Sequence, residues 1–187
     1  MKIEMETERL RIVPFEMKYV EDYYSEFNGE ITKYQYPDPF ESVAAAKEGL
    51  QEFIDLMNQN EMLFLSILTP DGDFVGSVEV HGLQEQYPEV GVWIKKQLQQ
   101  KGYAYEALTS VLKFADDNYR KEWYVFEADI RNKGSMKLVE KFHYKKEGMD
   151  EFETETGKKL ILQRFLVKNP AARNGASNLE RPKGRGI

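Results

Sequence analysis

The stretch QLQQKGYAYEAL, residues 97–108, gathers the side chains of this sequence best suited to holding an anion. Gly102 stands alone among long polar residues, just before a run with helical spacing. A helix start presents unpaired backbone N–H groups and the positive end of the macrodipole. Together these favour a phosphate or another anion. Glycine permits a tight turn and lets a ligand come close to the backbone. Ala104 is small where the helix begins, while Gln99, Gln100 and Lys101 add donors and one charge. The chemistry is that of a phosphate or pyrophosphate; a glycine in an ordinary strand-to-helix loop is the competing reading. Two common phosphate loops are excluded, because the sequence holds neither G-x-x-x-x-G-K-[ST] nor G-x-G-x-x-G.

Several elements must position that stretch. ERLRIVPF, 8–15, alternates and is β-branched, which predicts a strand. Residues 16–29 place Val20, Tyr23, Tyr24 and Phe27 at helical spacing, with Gly29 as a stop. YQYPDPF, 34–40, is a proline-punctuated loop, and 41–58 carries one apolar helix face through Val43, Ala46, Leu50, Phe53, Ile54 and Met57. Strands follow at 62–68, 74–83 and 88–94, with TPDGD as the first hairpin turn. After Gly102, residues Ala104, Ala107, Leu108, Val111, Leu112 and Ala115 mark an amphipathic helix. Then come a strand at 122–130, a helix at 132–142 opened by Asn132 as a good N-cap, a short strand at 143–148 and a last strand at 160–168. This order predicts an α/β (α+β) fold, a mixed sheet of about seven strands with helices on both faces.

Bulk properties limit the function. The chain has 187 residues, 41% of them hydrophobic, which suits one globular domain. There is no cysteine, so disulfides, thiolate metal sites and cysteine nucleophiles are excluded. With His81 and His143 as the two histidines, no metal site is expected. No apolar run suits a membrane span and the N-terminus has no signal-peptide core, so a cytoplasmic protein is expected. The net charge is −6; the tail 169–187 contributes +3 through Arg173, Arg181, Lys183 and Arg185 against Glu180, leaving −9 on residues 1–168. So acidic a body is a poor nucleic-acid binder. The tail reads as a basic Gly/Pro-rich extension outside the 1–168 domain, a solvated terminus or a segment docking on a second subunit in a homodimer.

At this point the sequence resembles a family. Gln99-Gln100-Lys101-Gly102-Tyr103-Ala104 is similar to Q/R-x-x-G-x-G/A, the acetyl-CoA signature of the GNAT N-acetyltransferases, between a strand and an amphipathic helix. PEVGVWIKKQLQQKGYAYEAL, the segment EADIRNKGSMKLVEKFHYKKEG from Glu127 to Gly148 and the opening TERLRIVPF resemble the RimJ/RimL-type branch, so the likeness runs over about residues 7–168. It implies the GNAT fold with a splayed pair of parallel strands, 90–94 and 122–130. It also implies acetyl-CoA as co-substrate. Backbone amides from Gln100 through Lys101, Gly102, Tyr103 and Ala104 to Tyr105 would cradle the pyrophosphate. The pantetheine arm would pair with the free edge at Val92, Trp93 and Ile94, and Asn132 would contact it or cap its own helix.

The implied reaction is direct acetyl transfer to an amine, which needs a base for the amine, donors for the oxyanion and an acid for the leaving thiolate. By the resemblance Glu89 is the first candidate base, with Glu79 and Glu153 behind it. Many members place a tyrosine seven residues after the asparagine; Val139 stands there, and Ser135 is the candidate next to the sulfur. His143 and Tyr144 replace the branch's Gly-Phe pair, and a structural role is expected for His143. Gln100 and Lys101 replace a frequent Gly-Lys pair, which bears on the loop's shape. A non-catalytic acyl-CoA-binding or sensing domain is the alternative function, and a nucleic-acid partner acting through the tail is a third. The acidic body and MDEFETE, 149–155, favour a cationic acceptor or a protein N-terminus.

Overall fold

The computed structural model describes residues 3–169. One sheet of eight strands forms the centre, ordered β1-β2-β3-β4-β5-β6-β8-β7. Its members are β1 (Met5–Glu6), β2 (Arg11–Pro14), β3 (Leu63–Leu68), β4 (Phe74–His81), β5 (Glu89–Ile94), β6 (Tyr124–Asp129), β7 (His143–Glu153) and β8 (Lys159–Lys168). Neighbours are antiparallel except β5 and β6, which run parallel. The helices are α1 (Val20–Glu26), α2 (Val43–Asn58), α3 (Tyr103–Tyr119) and α4 (Lys133–Val139).

The expected mixed α/β architecture and its element order hold, with one strand more than the seven expected. The addition is β1, two residues that pair with Ile12 and Arg11 of β2, too short to leave a periodic signal. The predicted first helix contracts to α1 preceded by a 3-10 turn at Met17–Tyr19. The short strand expected at 143–148 continues to Glu153 as an exposed edge strand. Its register shifts between Lys146 and Met149, and Gln163 Nε2 fills the irregularity by donating to the carbonyls of Glu147 (3.1 Å) and Gly148 (2.8 Å). Charged residues along this edge suit an unpaired strand.

Two cores lie on opposite faces of the sheet. One packs α3 and Val139 of α4 on Ile12, Leu65, Val78, Val90 and Ile94. The other packs α1 and α2 on Phe15, Phe64, Phe74 and Trp93, largely through aromatic rings. The local signals act as expected. Ser42 caps α2 by accepting from Ala45 N at 3.1 Å. Gly72, at φ +97°, closes the β3–β4 turn, across which Thr69 N donates to Asp73 O at 2.8 Å.

The expected extension, 169–187, falls outside the described residues except for Asn169. That residue is buried, and its Nδ2 donates to Asp116 Oδ2 at 3.4 Å. No described helix is long and apolar enough to cross a membrane. Among the described residues no cluster of side chains could hold a metal ion.

Candidate active site

The parallel pair carries the site. β5 and β6 are in register at one position, Glu89 opposite Val125, where Val125 N donates to Pro88 O at 2.8 Å. Beyond it the strands part. Backbone groups alternate sides along a strand, so Val92 and Ile94, in step with Pro88, turn theirs toward the gap. The intervening residues, Gly91 and Trp93, pair with Glu79 and Ser77 of β4. Of the edge expected at 92–94, Val92 and Ile94 turn their backbone to the gap, and the Ile94 carbonyl is taken by Gln99 Nε2 at 3.1 Å. Trp93 differs: its ring is buried on the opposite face, 5.0 Å from Tyr23 and 5.2 Å from Phe27. The even spacing of a strand puts its side chain there whatever its neighbours' backbones do. Its indole N–H is buried with no hydrogen-bond partner among the described residues.

A cavity of about 320 Å³ passes through this gap. Gly91, Val92 and Trp93 of β5 and Phe126, Glu127 and Ala128 of β6 form its sides. Asn132 and Ser135 close the α4 side, while Tyr23, Phe27 and Phe53 close the α1–α2 side. Glu79 and Glu89 both line it.

The two carboxylates sit differently. Glu79 is largely buried and lies on β4 opposite Gly91. A side chain at position 91 would begin 3.9 Å from Glu79 Oε2, so the glycine leaves the carboxylate open to the gap. Ser77 Oγ donates to Glu79 Oε1 at 3.3 Å, and His81 Nε2 lies 3.2 Å from Oε2. Beside them the fully buried Tyr23 hydroxyl is held well above its ordinary pKa, by burial and then by the charge of Glu79. Glu89 stands at the root of the gap as an exposed residue. Its carboxyl is nonetheless pushed up, first by desolvation and then by the charge of Glu127, while His81 and Arg164 pull it down. Glu153 is not in the cavity lining; it lies on the edge strand, 3.7 Å from Lys159 Nζ.

Asn132 and Ser135 come together as the sequence predicts. Asn132 Oδ1 caps α4 by accepting from Ser135 N at 3.1 Å, and both residues face the cavity. Val139 is 1% exposed in the core and carries no group that could donate a proton. His143 starts the exposed edge strand, and Tyr144 packs edge-on against Phe165 at 5.7 Å.

The start of α3 is a preformed turn. Gln100 and Gly102 both have left-handed φ, +63° and +87°. Glycine takes that conformation freely; for Gln100 it costs on the order of 1 kcal/mol. So the frequent glycine that Gln100 replaces is not needed to make the turn, but Gln100 makes it under strain. Gly102 is the N-cap and offers no side chain to the first N–H groups of α3. Gln99 is not a free donor, because its Nε2 donates to Ile94 O at 3.1 Å and ties the loop to β5. Tyr103, Ala104 and Tyr105 pack partly buried against the core, and Tyr105 lies between Phe142 and Lys141. The exposed Lys101 presents its side chain outward.

What sequence reasoning missed is the knot holding this turn. Arg9 Nη1 donates to Lys101 O (2.9 Å), and its Nε and Nη2 donate to Glu106 Oε2 (2.8 and 2.6 Å). Glu106 Oε1 also accepts from Arg9 N (3.0 Å) and Thr7 Oγ1 (2.6 Å). Burial would raise the Glu106 carboxyl, but Thr7 and Arg9 together hold it below its ordinary value. The arginine also lies 4.7 Å above the Tyr103 ring. Four bonds to one carboxylate make this the strong, charge-assisted kind of contact. TERL and YEAL carry these residues, but nothing in either segment reveals its partner 97 positions away.

A second missed device roofs the other side. Tyr34, Gln35, Tyr36 and Pro37 line the cavity together with Phe152, whose ring meets Tyr36 at 5.2 Å. Lys158, in the β7–β8 turn, holds this loop. Its Nζ donates to Thr32 O (2.9 Å) and Gln35 O (2.8 Å) and pairs with Asp38. Thr156 Oγ1 donates to Asp38 Oδ2 at 2.6 Å.

Comparison with known proteins identifies the fold. Residues 9–145 match the acetyltransferase (GNAT) domain family. No curated protein matches the chain. Among solved structures, spermidine N-acetyltransferase from Vibrio cholerae, in complex with CoA and spermine, superposes with TM-score 0.73 at 16% identity, over 87% of this chain and 97% of that one. RimL, a ribosomal L7/L12 alpha-N-protein acetyltransferase in complex with coenzyme A, gives TM-score 0.77 at 13% identity, over 87% and 96%. The microcin C7 self immunity acetyltransferase in complex with acetyl-CoA and AMP gives 0.75 at 16%, over 87% and 93%. These identities speak for the fold alone, and the family match covers most of the chain: this protein belongs to the GNAT acetyltransferase family.

Proposed function

We propose that the protein transfers an acetyl group from acetyl-CoA to a primary amine, by direct transfer in the gap between β5 and β6. The observation that carries this is the cavity itself, open from Asn132 and Ser135 on one side of the sheet to Glu79 on the other. The residues present fit the donor. The uncapped N–H groups after Gly102 suit its phosphates, and the backbone of Val92, turned to the gap, suits an added strand-like arm, whereas the Ile94 carbonyl is already taken by Gln99. Trp93 lines the cavity from the α1–α2 side, where its ring packs on Tyr23 and Phe27. Asn132 keeps its amide donors for the arm, and Ser135 is placed to give a proton to the leaving sulfur. When bound, acetyl-CoA supplies the acetyl group as a thioester.

The base must take a proton from the amine as it attacks. Sequence reasoning puts Glu89 first. The geometry favours Glu79, whose carboxylate faces the gap across Gly91, and leaves Glu89 to draw a cationic amine to the mouth. Single-turnover acetylation compares the two. Glu79→Gln is expected to lower the rate at least about a hundredfold with acetyl-CoA binding intact, and Glu89→Gln to raise the amine KM severalfold. The reverse pattern returns the base to Glu89.

The acceptor is an amine with a positive charge to offer, a polyamine, an aminoglycoside or a protein N-terminus, in a cytoplasmic setting. Glu79, Glu89 and Glu127 line the cavity with no lysine or arginine among its lining residues. Membership of the RimJ/RimL branch is part of this proposal and rests on the sequence segments already given. A homodimer using the basic extension is a further expectation, read by sedimentation with and without residues 169–187. If CoA binds but no amine is turned over, the alternative of a non-catalytic acyl-CoA sensor takes its place.

A further inference from the structure

Glu79 is the middle member of a polar row. Ser77, Glu79 and His81 alternate along β4, so all three point to the α1–α2 face. Buried strand positions are normally apolar, and three polar groups in a row need a reason. Ser77 reaches one carboxylate oxygen, and His81 Nε2 reaches the other at 3.2 Å. The second contact matters more, because Oε2 is the oxygen that faces Gly91 and the gap.

The imidazole is itself held. The Phe53 ring of α2 meets it edge-on at 5.8 Å, fixing its plane from above. On the β5 side Glu89 is its registered partner. Thus the charged groups facing His81 are Glu79 on its own strand and Glu89 across the pair, while α2 contributes a ring without charge. The His81 side chain is 41% exposed against 16% for Glu79. One ring nitrogen faces the buried carboxylate, and the ring as a whole remains open to water.

We infer that His81 is a positioning residue for the acetyl transfer: its Nε2–H aims Glu79 Oε2 into the gap, and its charge state sets how readily that oxygen takes the amine proton. This rests on Glu79 as the base. With His81 neutral, the Nε2–H fixes the carboxylate without opposing proton uptake. With His81 protonated, the same bond becomes an ion pair, and a proton arriving on Glu79 must break it. The hydrogen bond to Glu79 raises the imidazole's pKa, burial lowers it, and the charges of Glu79 and Glu89 raise it, for a net increase above the ordinary 6.5. Transfer therefore rises with pH as His81 loses its proton, on the neutral-to-alkaline side.

The test compares His81→Gln, His81→Phe and Glu79→Gln in the full chain, at saturating acetyl-CoA and amine. Glutamine keeps an N–H near Nε2 but cannot titrate; phenylalanine keeps the packing on Phe53 and loses the donor. His81→Phe is expected to lower kcat about tenfold, with the acetyl-CoA KM and the melting temperature little changed. His81→Gln is expected to regain most of that loss and to exceed the wild type severalfold at acidic pH, the two converging at alkaline pH. Wild-type kcat in His81→Phe, with Glu79→Gln inactive, overturns the inference and leaves Glu79 as the base. A His81→Gln profile that keeps the wild-type pH limb also overturns it. Wild-type activity in Glu79→Gln removes the base reading, and this inference with it.

Discussion

The two halves of the proposed site are built by different means. At the start of α3 it is backbone: a left-handed turn and uncapped N–H groups at residues 100–105, outside the cavity lining, next to the strand edge at 92–94. On the α1–α2 side it is side chains, drawn from β4, β5, α2, the 34–37 loop and the β7–β8 hairpin. A backbone site needs a short contiguous segment and little more. A side-chain site has no such economy, because each contact comes from a different stretch of chain. Such a division would let the backbone half stay constant while the side-chain half changes with the substrate.

The comparison breaks most sharply at Gly102. Any residue with a Cβ is strained at φ +87°, and the added atom would lie 3.4 Å from Arg9 Nη2. Gly102→Glu also sets a negative charge against the phosphates. Calorimetric titration should show acetyl-CoA binding weakened at least about a hundredfold, and the thermal shift that binding gives by mass action should vanish. Retained binding would mean that the backbone turn is not the anion site.

A smaller effect is expected at the knot. Arg9→Met removes the donors to Lys101 O and Glu106 and leaves the turn to form on its own. The acetyl-CoA KM should rise about tenfold while the amine KM stays put, as expected when a charge-assisted network that preorganises a loop is lost. Equal changes in both would show that the two ends are not independent.

Smaller again is the mirror experiment. Lys158→Met releases the 34–37 loop from the hairpin turn. The amine KM should rise about threefold to tenfold, with acetyl-CoA binding unaffected. The smallest effect is a pH dependence of the same strap. Burial alone would raise the Asp38 carboxyl, but Lys158, Thr156 and Thr154 outweigh it and hold it at about 2, against 3.8 when free. A depressed carboxylate lends stability above its unfolded pKa and loses it as pH falls toward the folded one. The strap should thus be intact at pH 5 and release only between about pH 4 and pH 2. Hydrogen exchange at residues 32–38 reads this, and release already at pH 5 would contradict it.

The same contrast explains what was legible in the sequence. Helical spacing gave α2 and α3, turn chemistry gave the β3–β4 hairpin, and one glycine before an amphipathic run gave the left-handed turn at the start of α3. Asn132 and Ser135 were readable because three residues and a cap join them. Glu79 was visible as a carboxylate, but its exposure to the gap depends on Gly91 across the sheet, a register no local pattern encodes. The hold of Lys158 on residues 32–35 spans more than 120 positions and could not be read at all. Trp93 was read on the right strand, and simple alternation turns its ring to the α1–α2 face, where it lines the cavity.

The most direct test is release of CoA thiol from acetyl-CoA over a panel of polyamines, aminoglycosides and N-terminal peptides. The chain has no cysteine, so a thiol reagent reads the product without background from the protein. Amine-dependent thiol release is expected for at least one cationic acceptor, abolished in Gly102→Glu. Release that is independent of any amine, or unchanged in Gly102→Glu, would contradict it.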